Sequence, residues 1–395
     1  MRSDWDILRA DKFIDFNPTE TIRKGELSKK VAMEQLQPYT RDISGYELTP
    51  FNGGSKFRNG DTLMARITPC LENGKTAQVN ILENDEVGFG STEFIVMREI
   101  PGVSDSDFIY YLALSPFWRN KAIKSMVGSS GRQRVQQGVL DSVELCVPPL
   151  PEQKEIAHTL RALDDIIFNN KEINLRLEKM AQAIFKSWFV DFEPWGGVMP
   201  EDWETTSLSA LCSLISRGIT PKYVDQGEQI VINQKCIRDH QVVLGPSRFH
   251  EPKTPNDKWL QYGDVLVNST GQGTLGRAAQ WLESLTNVTV DSHVSIVRPN
   301  TPQYVYYLGL YVTGKEKEIE AMAAGSTGQT ELSRERLGSL LLLQPKSEQL
   351  EEFNKLVEPL MTQIVTNNHE SERLVSLRDV LLPKLMSGEL SIPID

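Results

Sequence analysis

Two loops rich in glycine, serine, arginine and glutamine hold the residues best suited to chemistry. The first, at 128–137, carries Arg132, Gln133 and Arg134, and the second, at 325–336, carries Gln329 and Arg334. Arginine and glutamine form paired hydrogen bonds with the edges of guanine and adenine, and arginine also binds phosphate. A loop that only contacts water would be polar too. Because the two loops recur at matching positions, we favour contact with nucleic acid.

Further cationic and amide side chains lie in other predicted loops. They are candidates by residue type and loop position alone. They are Arg58, Arg66 and Lys75 in the first half of the chain, and Gln234, Lys235, Arg238, Gln272 and Arg277 in the second half. Together with the residues of the two loops above, they are the predicted nucleic-acid contacts of the two halves.

A glycine-rich motif offers an alternative from another class, a dinucleotide-binding enzyme. Residues 271–276 fit the pattern GxGxxG, follow the apolar run 265–267, and precede Asp291 at the distance of a ribose-binding acid. Against this alternative, 287–297 has the pattern of a strand, and the first half of the chain carries 67–74 in place of the motif. We therefore favour a glycine-rich loop without a cofactor.

Other patterns for catalysis or metal binding are missing from the sequence. The chain has 5 histidines and 4 widely spaced cysteines, with no Ser/His/Asp arrangement and no CxxC pair. We therefore expect reduced thiols, and no catalytic residue, cofactor site or metal site in this chain.

Length and charge narrow the class of protein. A chain of 395 residues exceeds the size at which a single core usually keeps growing, which predicts at least two domains. The net charge of −11 argues against indiscriminate binding to nucleic acid but is compatible with local basic surfaces. The start of the chain lacks a signal-peptide pattern, and no apolar run approaches the roughly 18 residues that span a bilayer. We expect a cytoplasmic protein without membrane contact.

The second half of the chain repeats the first. Gly60-Asp61-Thr62-Leu63 returns as GDVL at 263–266, and Tyr110 begins a YYL string that returns at 306–308. Short β-like runs at 77–82, 93–97, 230–232 and 294–297, with helical stretches at 107–114 and 304–312, predict an α+β globule in each half. The repeat predicts two related domains with internal pseudo-two-fold symmetry.

Each globule is followed by a stretch with the spacing of a coiled coil. After 148–151, and again after Pro345, apolar residues recur in steps of three and four. Asn170 and Asn174 lie in the first seam and Asn367 in the second, where buried asparagines would fix the register. Asparagines at the exposed edge of the seam are the alternative. Since each helix has one good partner, we predict that the two helices pair in an antiparallel coiled coil.

Two apolar runs lie at the ends of these helices. The run 184–192 contains Phe185, Trp188, Phe189 and Phe192, and the equivalent place in the second copy contains Leu382, Leu385 and Met386. Two interpretations remain open. The residues form either the core of the chain or a docking surface for another subunit.

The combined pattern resembles the specificity subunit of type I restriction-modification systems. The resemblance covers essentially the whole chain. It is carried by PPLPEQ at 148–153, IFKSWFVDF at 184–192, GSTGQ at 325–329 and LLPKLMSGEL at 381–390. One departure is QPKSEQ at 344–349, where a string like PPLPEQ is expected, and it leaves the helix boundaries open.

The resemblance implies a function and a set of partners. In that family each of two target recognition domains reads one half of a bipartite target in double-stranded DNA. The helices act as a spacer and bind two methylase subunits, and restriction (motor-nuclease) subunits join the complex. S-adenosylmethionine, ATP and magnesium are expected on those partners. A stand-alone, pseudo-symmetric DNA-binding regulator, which needs no partner, is the alternative.

We therefore predict an α+β fold with target recognition domains at 1–150 and 196–346. Spacer helices at 151–195 and 347–395 separate them and form the antiparallel coiled coil. The predicted chain is a non-catalytic specificity subunit.

Overall fold

A computed structural model describes residues 5–129, 131–251, 254–322 and 331–393. Its contacts divide the chain into two units, unit 1 (1–171 with 369–395) and unit 2 (172–368). The α-helices are α1 (Ala10–Phe13), α2 (Ser106–Leu114), α3 (Pro116–Lys124), α4 (Gln137–Asp141), α5 (Leu150–Phe189), α6 (Val305–Thr313), α7 (Glu316–Met322), α8 (Arg334–Gly338) and α9 (Ser347–Met386). Both divisions fall inside the long helices α5 and α9, so each unit contains part of both.

Unit 1 contains two four-stranded sheets and a separate strand pair. Its strands are β1 (Asp6–Arg9), β2 (Ile14–Phe16), β3 (Leu27–Val31), β4 (Glu47–Pro50), β5 (Ser55–Phe57), β6 (Thr62–Ala65), β7 (Thr76–Gln78), β8 (Gly88–Gly90), β9 (Phe94–Glu99) and β10 (Glu144–Val147). The first sheet has the order β2, β9, β6, β7 and is antiparallel. The second has the order β4, β3, β8, β5, with β3 and β8 parallel. The pair β1 and β10 joins the two ends of the globule.

Helix α2 covers the first sheet of unit 1. Its residues from Phe108 to Leu114 are all buried, and the Asp105 carboxylate caps its start by accepting the Phe108 N–H at 3.0 Å. The core of the unit combines this helix with the sheet, the first turns of α5 and the last turns of α9, which contributes Leu382 and Leu385. Apolar burial on this scale is the main stabilising term of such a domain.

Unit 2 has the same plan. Its strands are β11 (Glu204–Ser207), β12 (Cys212–Arg217), β13 (Tyr223–Val224), β14 (Gln229–Ile232), β15 (Ile237–Arg238), β16 (Gln241–Val242), β17 (Arg248–His250), β18 (Val265–Asn268), β19 (Ala278–Gln280), β20 (Val288–Val290), β21 (Val294–Pro299) and β22 (Leu341–Gln344). The antiparallel sheet β12, β21, β18, β19 matches β2, β9, β6, β7, and α6 takes the place of α2. The mixed sheet is β13, β17, β14, β20, with β14 and β20 parallel. Strand β11 pairs with β22 as β1 pairs with β10.

A buried ion pair recurs in the two antiparallel sheets. Arg98 on β9 donates two hydrogen bonds of 2.7 Å to Asp61, and Arg298 on β21 donates two of 2.8 Å to Asp264. The aspartates precede β6 and β18. The repeated Gly-Asp string of the sequence therefore encodes the same contact in both units.

The long helices are antiparallel within each unit. In unit 1, Asn170 of α5 donates to Glu370 of α9 at 2.7 Å, and Arg378 donates to Asp164 at 2.8 Å. A later residue of α9 therefore lies beside an earlier residue of α5. In unit 2, Asn174 accepts a bond of 2.7 Å from Asn367, while Phe185 contacts Phe353.

These observations confirm the predicted α+β fold with paired antiparallel helices. Asn170, Asn174 and Asn367 are buried, in agreement with the seam interpretation and not with the exposed edge. Each long helix has 40 residues, yet no helix in the described part of the chain is apolar enough over sufficient length to cross a membrane.

Candidate nucleic-acid interface

Three predicted DNA-binding residues of unit 1 meet where strands β6 and β9 lie side by side. Arg66 directly follows β6, and its carbonyl oxygen accepts the Val135 N–H at 2.9 Å. The carbonyl oxygen of Gln133 accepts bonds from the N–H and the hydroxyl of Thr68, at 3.0 and 3.2 Å. These bonds fix residues 131–137 along the sheet. Arg66, Gln133 and Arg134 therefore share one edge of unit 1.

An ion pair at this edge joins Arg134 to Glu93. The Arg134 Nε donates to both carboxylate oxygens at 3.0 Å, and Nη2 donates to one of them at 2.6 Å. This bonding holds the pKa of Glu93 below its ordinary value, and the nearby charge of Arg66 acts in the same direction. Arg134 is exposed, but its guanidinium is already engaged within the chain.

Arg66 is held much more weakly than Arg134. Its Nη2 donates to the Val135 carbonyl at 3.4 Å, and its buried Nε has no hydrogen-bond partner. The side chain lines an open cavity of about 340 Å³. Other lining residues of this cavity are Asn17, Thr19, Lys56, Thr92 and Phe94.

Unit 2 has a cavity of about 470 Å³ between the end of β12 and residues 331–335. The Leu332 N–H donates to the Ser269 carbonyl at 2.9 Å, as Val135 does to Arg66 in unit 1. Ser269 therefore stands where unit 1 has Arg66, and Glu331 stands where unit 1 has Arg134. Arg217, at the end of β12, supplies the positive charge instead.

The Arg217 guanidinium forms an ion pair with Glu331 and also donates to the Leu332 carbonyl at 2.8 Å. Arg334 lines the same cavity and pairs with Glu335 at 2.8 Å. The predicted contact Gln329 lies outside the described residues.

The remaining predicted DNA-binding residues fall into two groups, those whose side chains hydrogen-bond within the chain and those whose side chains do not. Those with internal partners are Arg58 with Glu20 at 2.6 Å, Lys75 with the Met33 carbonyl at 2.8 Å, Gln234 with the Thr270 hydroxyl at 2.6 Å, and Arg277 with the Gly273 carbonyl at 2.9 Å. Those exposed without a side-chain partner among the described residues are Arg132, Lys235, Arg238 and Gln272. Within each unit, the structure therefore does not bring all of the predicted DNA-binding residues into one site.

Sequence reasoning missed Arg217, Glu93 and Asn17. Arg217 ends a strand and Asn17 follows one, so a search restricted to predicted loops did not include them. The relation of Glu93 to Arg134 links residues 41 apart in the chain. Only the folded chain brings Glu93 and Arg134 together.

The glycine-rich motif at 271–276 forms the turn between the antiparallel strands β18 and β19. Gly271, Gly273 and Gly276 have φ angles of 102°, 75° and 85°, which favour glycine. A Cβ at Gly276 would lie 2.8 Å from the Glu316 carbonyl oxygen, so packing also excludes a side chain there. In this fully described segment the chain passes from strand to strand, whereas the dinucleotide motif requires a following helix. The segment is therefore a glycine-rich turn between two strands and lacks the strand-to-helix geometry of the dinucleotide motif.

The predicted docking residues lie mostly inside the two cores. Phe185 and Phe189 are buried against Tyr307 and Phe353 in unit 2, and Leu382 and Leu385 are buried in unit 1. The remaining predicted docking residues, which are partly buried, are Trp188, Phe192 and Met386. In this fold the four buried side chains stabilise the chain itself and are not available to another subunit.

The described residues contain no metal-binding cluster. None of their groups of His, Cys, Asp and Glu side chains could hold a metal ion.

Comparison with known proteins connects the first part of the chain to a family. Residues 3–179 match the family described as the type I restriction modification DNA specificity domain. This part of the chain is similar to a type I DNA specificity domain. This match covers α5 as far as Lys179 as well as the first globule, and it confirms the resemblance drawn from the sequence.

Similarity to individual proteins extends over most of the chain. The type I restriction enzyme MjaIX specificity subunit of Methanocaldococcus jannaschii is 25% identical, over 73% of this chain and 69% of its own. The HindI specificity subunit of Haemophilus influenzae is 25% identical, over 88% of this chain and 90% of its own. The crystal structure of a type I restriction-modification S subunit from M. genitalium shares the fold, with a TM-score of 0.61, 17% identity and 96% coverage of both chains.

Proposed function

We propose that this chain provides DNA sequence specificity to a type I restriction-modification complex. One observation carries the proposal, the contrast between what the two units share and where they differ. They share the sheet order, the buried Asp-Arg ion pair and the antiparallel helix pairing. They differ at the sheet edge, where Arg66 and Arg134 of unit 1 correspond to Ser269 and Glu331 of unit 2. Two copies of one scaffold with different edges suit the reading of two different DNA sequences.

In this proposal each unit reads one half of a bipartite target. Arginine and glutamine at the edges contact bases, and exposed cations such as Arg132, Lys235 and Arg238 contact phosphates. Because phosphate contacts carry no sequence information, specificity rests on the edges of the units.

The long helices set the gap between the two half-sites and bind two methylase subunits. Four of the predicted docking side chains at the helix ends are buried in the two cores, but exposed apolar side chains remain along the helices. They include Ile166, Ile173 and Met180 on α5, and Leu377 and Val380 on α9. Restriction subunits join through the assembled complex.

We assign no catalytic step to this chain. Adenine methylation and ATP-dependent cleavage, with S-adenosylmethionine, ATP and magnesium, belong to the partner subunits in this proposal. The family match, to a specificity domain, supports this division.

Co-purification followed by methylation mapping tests the proposal. The full chain, expressed with its methylase subunits, should be recovered with them, and the complex should methylate a bipartite sequence with an unspecified gap. A chain that binds one continuous DNA site and retains no methylase would instead be the stand-alone regulator, and the proposal would fail.

A further inference from the structure

We infer that the cavity of unit 1 is a base-reading pocket in which Arg66 recognises a guanine. The inference rests on the proposed function, since it names the base that one recognition edge would read. Its starting point is the state of the Arg66 guanidinium. Three arginines in the described residues have a buried side-chain nitrogen without a partner, namely Arg41, Arg66 and Arg119.

Only Arg66 among these three lacks strong bonds elsewhere. Arg41 donates to Asp165 at 2.5 Å, and Arg119 donates to the Tyr39 hydroxyl at 2.8 Å and to two carbonyl oxygens. Arg66 has a single side-chain bond, of 3.4 Å. Because the guanidinium is so weakly engaged within the chain, its outer N–H groups can donate to a ligand that supplies acceptors.

The neighbouring charges leave Arg66 available to a ligand. Glu93 is the nearby carboxylate, but Arg134 binds both of its oxygens. Glu20, which also lines the cavity, is bonded to Arg58 at 2.6 Å and to Arg98 at 2.7 Å. Both carboxylates are therefore neutralised by other arginines, and Arg66 keeps an uncompensated positive charge at the cavity.

The shape and chemistry of the cavity suit the edge of a base. Its floor includes Phe94 and Val96, which are 2% and 1% exposed, while Asn17, Thr19 and Thr92 add polar groups to its wall. Guanine presents two adjacent acceptors, O6 and N7, which arginine binds through paired hydrogen bonds. A DNA phosphate offers acceptors as well, but a phosphate contact carries no sequence information.

Comparison of the units favours the base over the phosphate. A phosphate clamp serves any sequence equally, so two copies of the scaffold would be expected to keep it. Unit 2 has Ser269 in place of Arg66, and its own cavity, beside the end of β12, is lined by Arg217 and Ser333. The two units therefore differ at the sheet edge, while the supporting ion pair of Asp61 and Arg98 is kept as Asp264 and Arg298. That distribution is expected for groups that read different bases.

Two substitutions in the full chain, assembled with its methylase subunits, test the inference by methylation mapping. Arg66→Gln removes the charge, and Arg66→Lys keeps the charge but cannot form the paired bonds. Both should lower discrimination at one guanine position of one half-site by roughly 5- to 150-fold, and leave the other half-site unchanged. Arg23→Gln removes an exposed arginine of unit 1 outside the cavity and is the matched control. Its complex should methylate the same DNA sequence as the complex of the unsubstituted chain.

Three results would overturn the inference. The first is that Arg66→Lys keeps the original sequence preference. The second is that both substitutions weaken methylation of all sites equally, as loss of a phosphate contact would. The third is that Arg66→Gln alters both half-sites. Failure of the proposed function looks different, because the unsubstituted complex would then show no bipartite preference at all. Retention of the other half-site shows that a substituted chain has folded.

Discussion

Arg298 holds Asp264 through two parallel hydrogen bonds of 2.8 Å, and the Asp264 side chain is 0% exposed. Burial raises the pKa of Asp264, although the bonds to Arg298 act against that shift. The ion pair connects strand β21 to the turn before β18 and so fixes the sheet that supports the unit 2 edge. Arg98 and Asp61 do the same in unit 1.

Arg298→Leu should therefore destabilise the protein by about 3–5 kcal/mol, because it leaves a buried carboxylate without its cation. Chemical denaturation of the full chain measures this change. The double replacement Asp264→Leu with Arg298→Leu should recover part of the loss. Lys315→Leu, which breaks an exposed ion pair with Glu318, should leave the denaturant concentration at the unfolding midpoint nearly unchanged. Equal unfolding midpoints for Arg298→Leu and Lys315→Leu would show that the buried ion pair does not stabilise the protein.

The asparagines of the helix seam make a second prediction. Asn174 accepts from Asn367 at 2.7 Å and donates to Asn368 at 2.8 Å. Asn174→Leu removes these bonds, so it should cost about 1–3 kcal/mol of unfolding free energy. Replacing Asn174 and Asn367 together by leucine should cost less than the single change, since apolar residues would then face each other. A double variant that is less stable than either single variant would rule out this pairing.

His240 makes a prediction about pH. It contacts Glu178 of α5 and Glu316 of α7, and these hydrogen bonds raise its pKa to about 10, with Glu178 contributing most. A raised histidine pKa stabilises the folded state fully below the unfolded pKa of about 6.5, and the contribution disappears as the pH rises through about 10.

The loss of stability caused by His240→Gln should therefore be greatest near pH 6 and should shrink towards pH 10. Thermal unfolding of both proteins across this range measures the difference. His158→Gln, at an exposed position of α5, is the matched control and should show no such trend. A difference that is constant from pH 6 to pH 10 would show that the charge of His240 contributes nothing.

The proposed spacer role makes a fourth prediction. Seven residues added to α5 after Asn170, with seven added at the facing position of α9, should preserve the seam and lengthen both helices by about 10.5 Å. The gap in the methylated sequence should then increase by roughly three base pairs, at about 3.4 Å each. Methylation mapping gives the gap directly. An unchanged gap would contradict the spacer role.

Much of the fold could be predicted from the sequence because local patterns encode it. The steps of three and four placed Asn170, Asn174 and Asn367 in a seam, and the structure buries all three. The helical stretch predicted at 107–114 is α2, at Ser106–Leu114. Such features depend on neighbours a few residues apart, which a single sequence displays.

The candidate site was less accessible to sequence reasoning because its contacts are long-range. The residues next to Phe185 in the sequence do not show whether it is a core residue or a docking residue. Its burial depends on contacts with Tyr307 and Phe353, which are distant in the chain. Residue type selected Arg66 and Arg134 alike, yet Glu93 engages Arg134 and leaves Arg66 weakly bound. The charge carried by Arg217 lies on a strand, where a search of loops could not find it.

Exchange of one recognition domain tests the central claim most directly. Residues 1–150 would be replaced by the corresponding domain of a relative with a different target, and the DNA methylated by the assembled complex would be mapped by long-read sequencing. If each unit reads its half-site independently, one half-site should change, and the other half-site and the gap should stay as they were. A change in both half-sites, or in neither, would contradict independent reading by the two units.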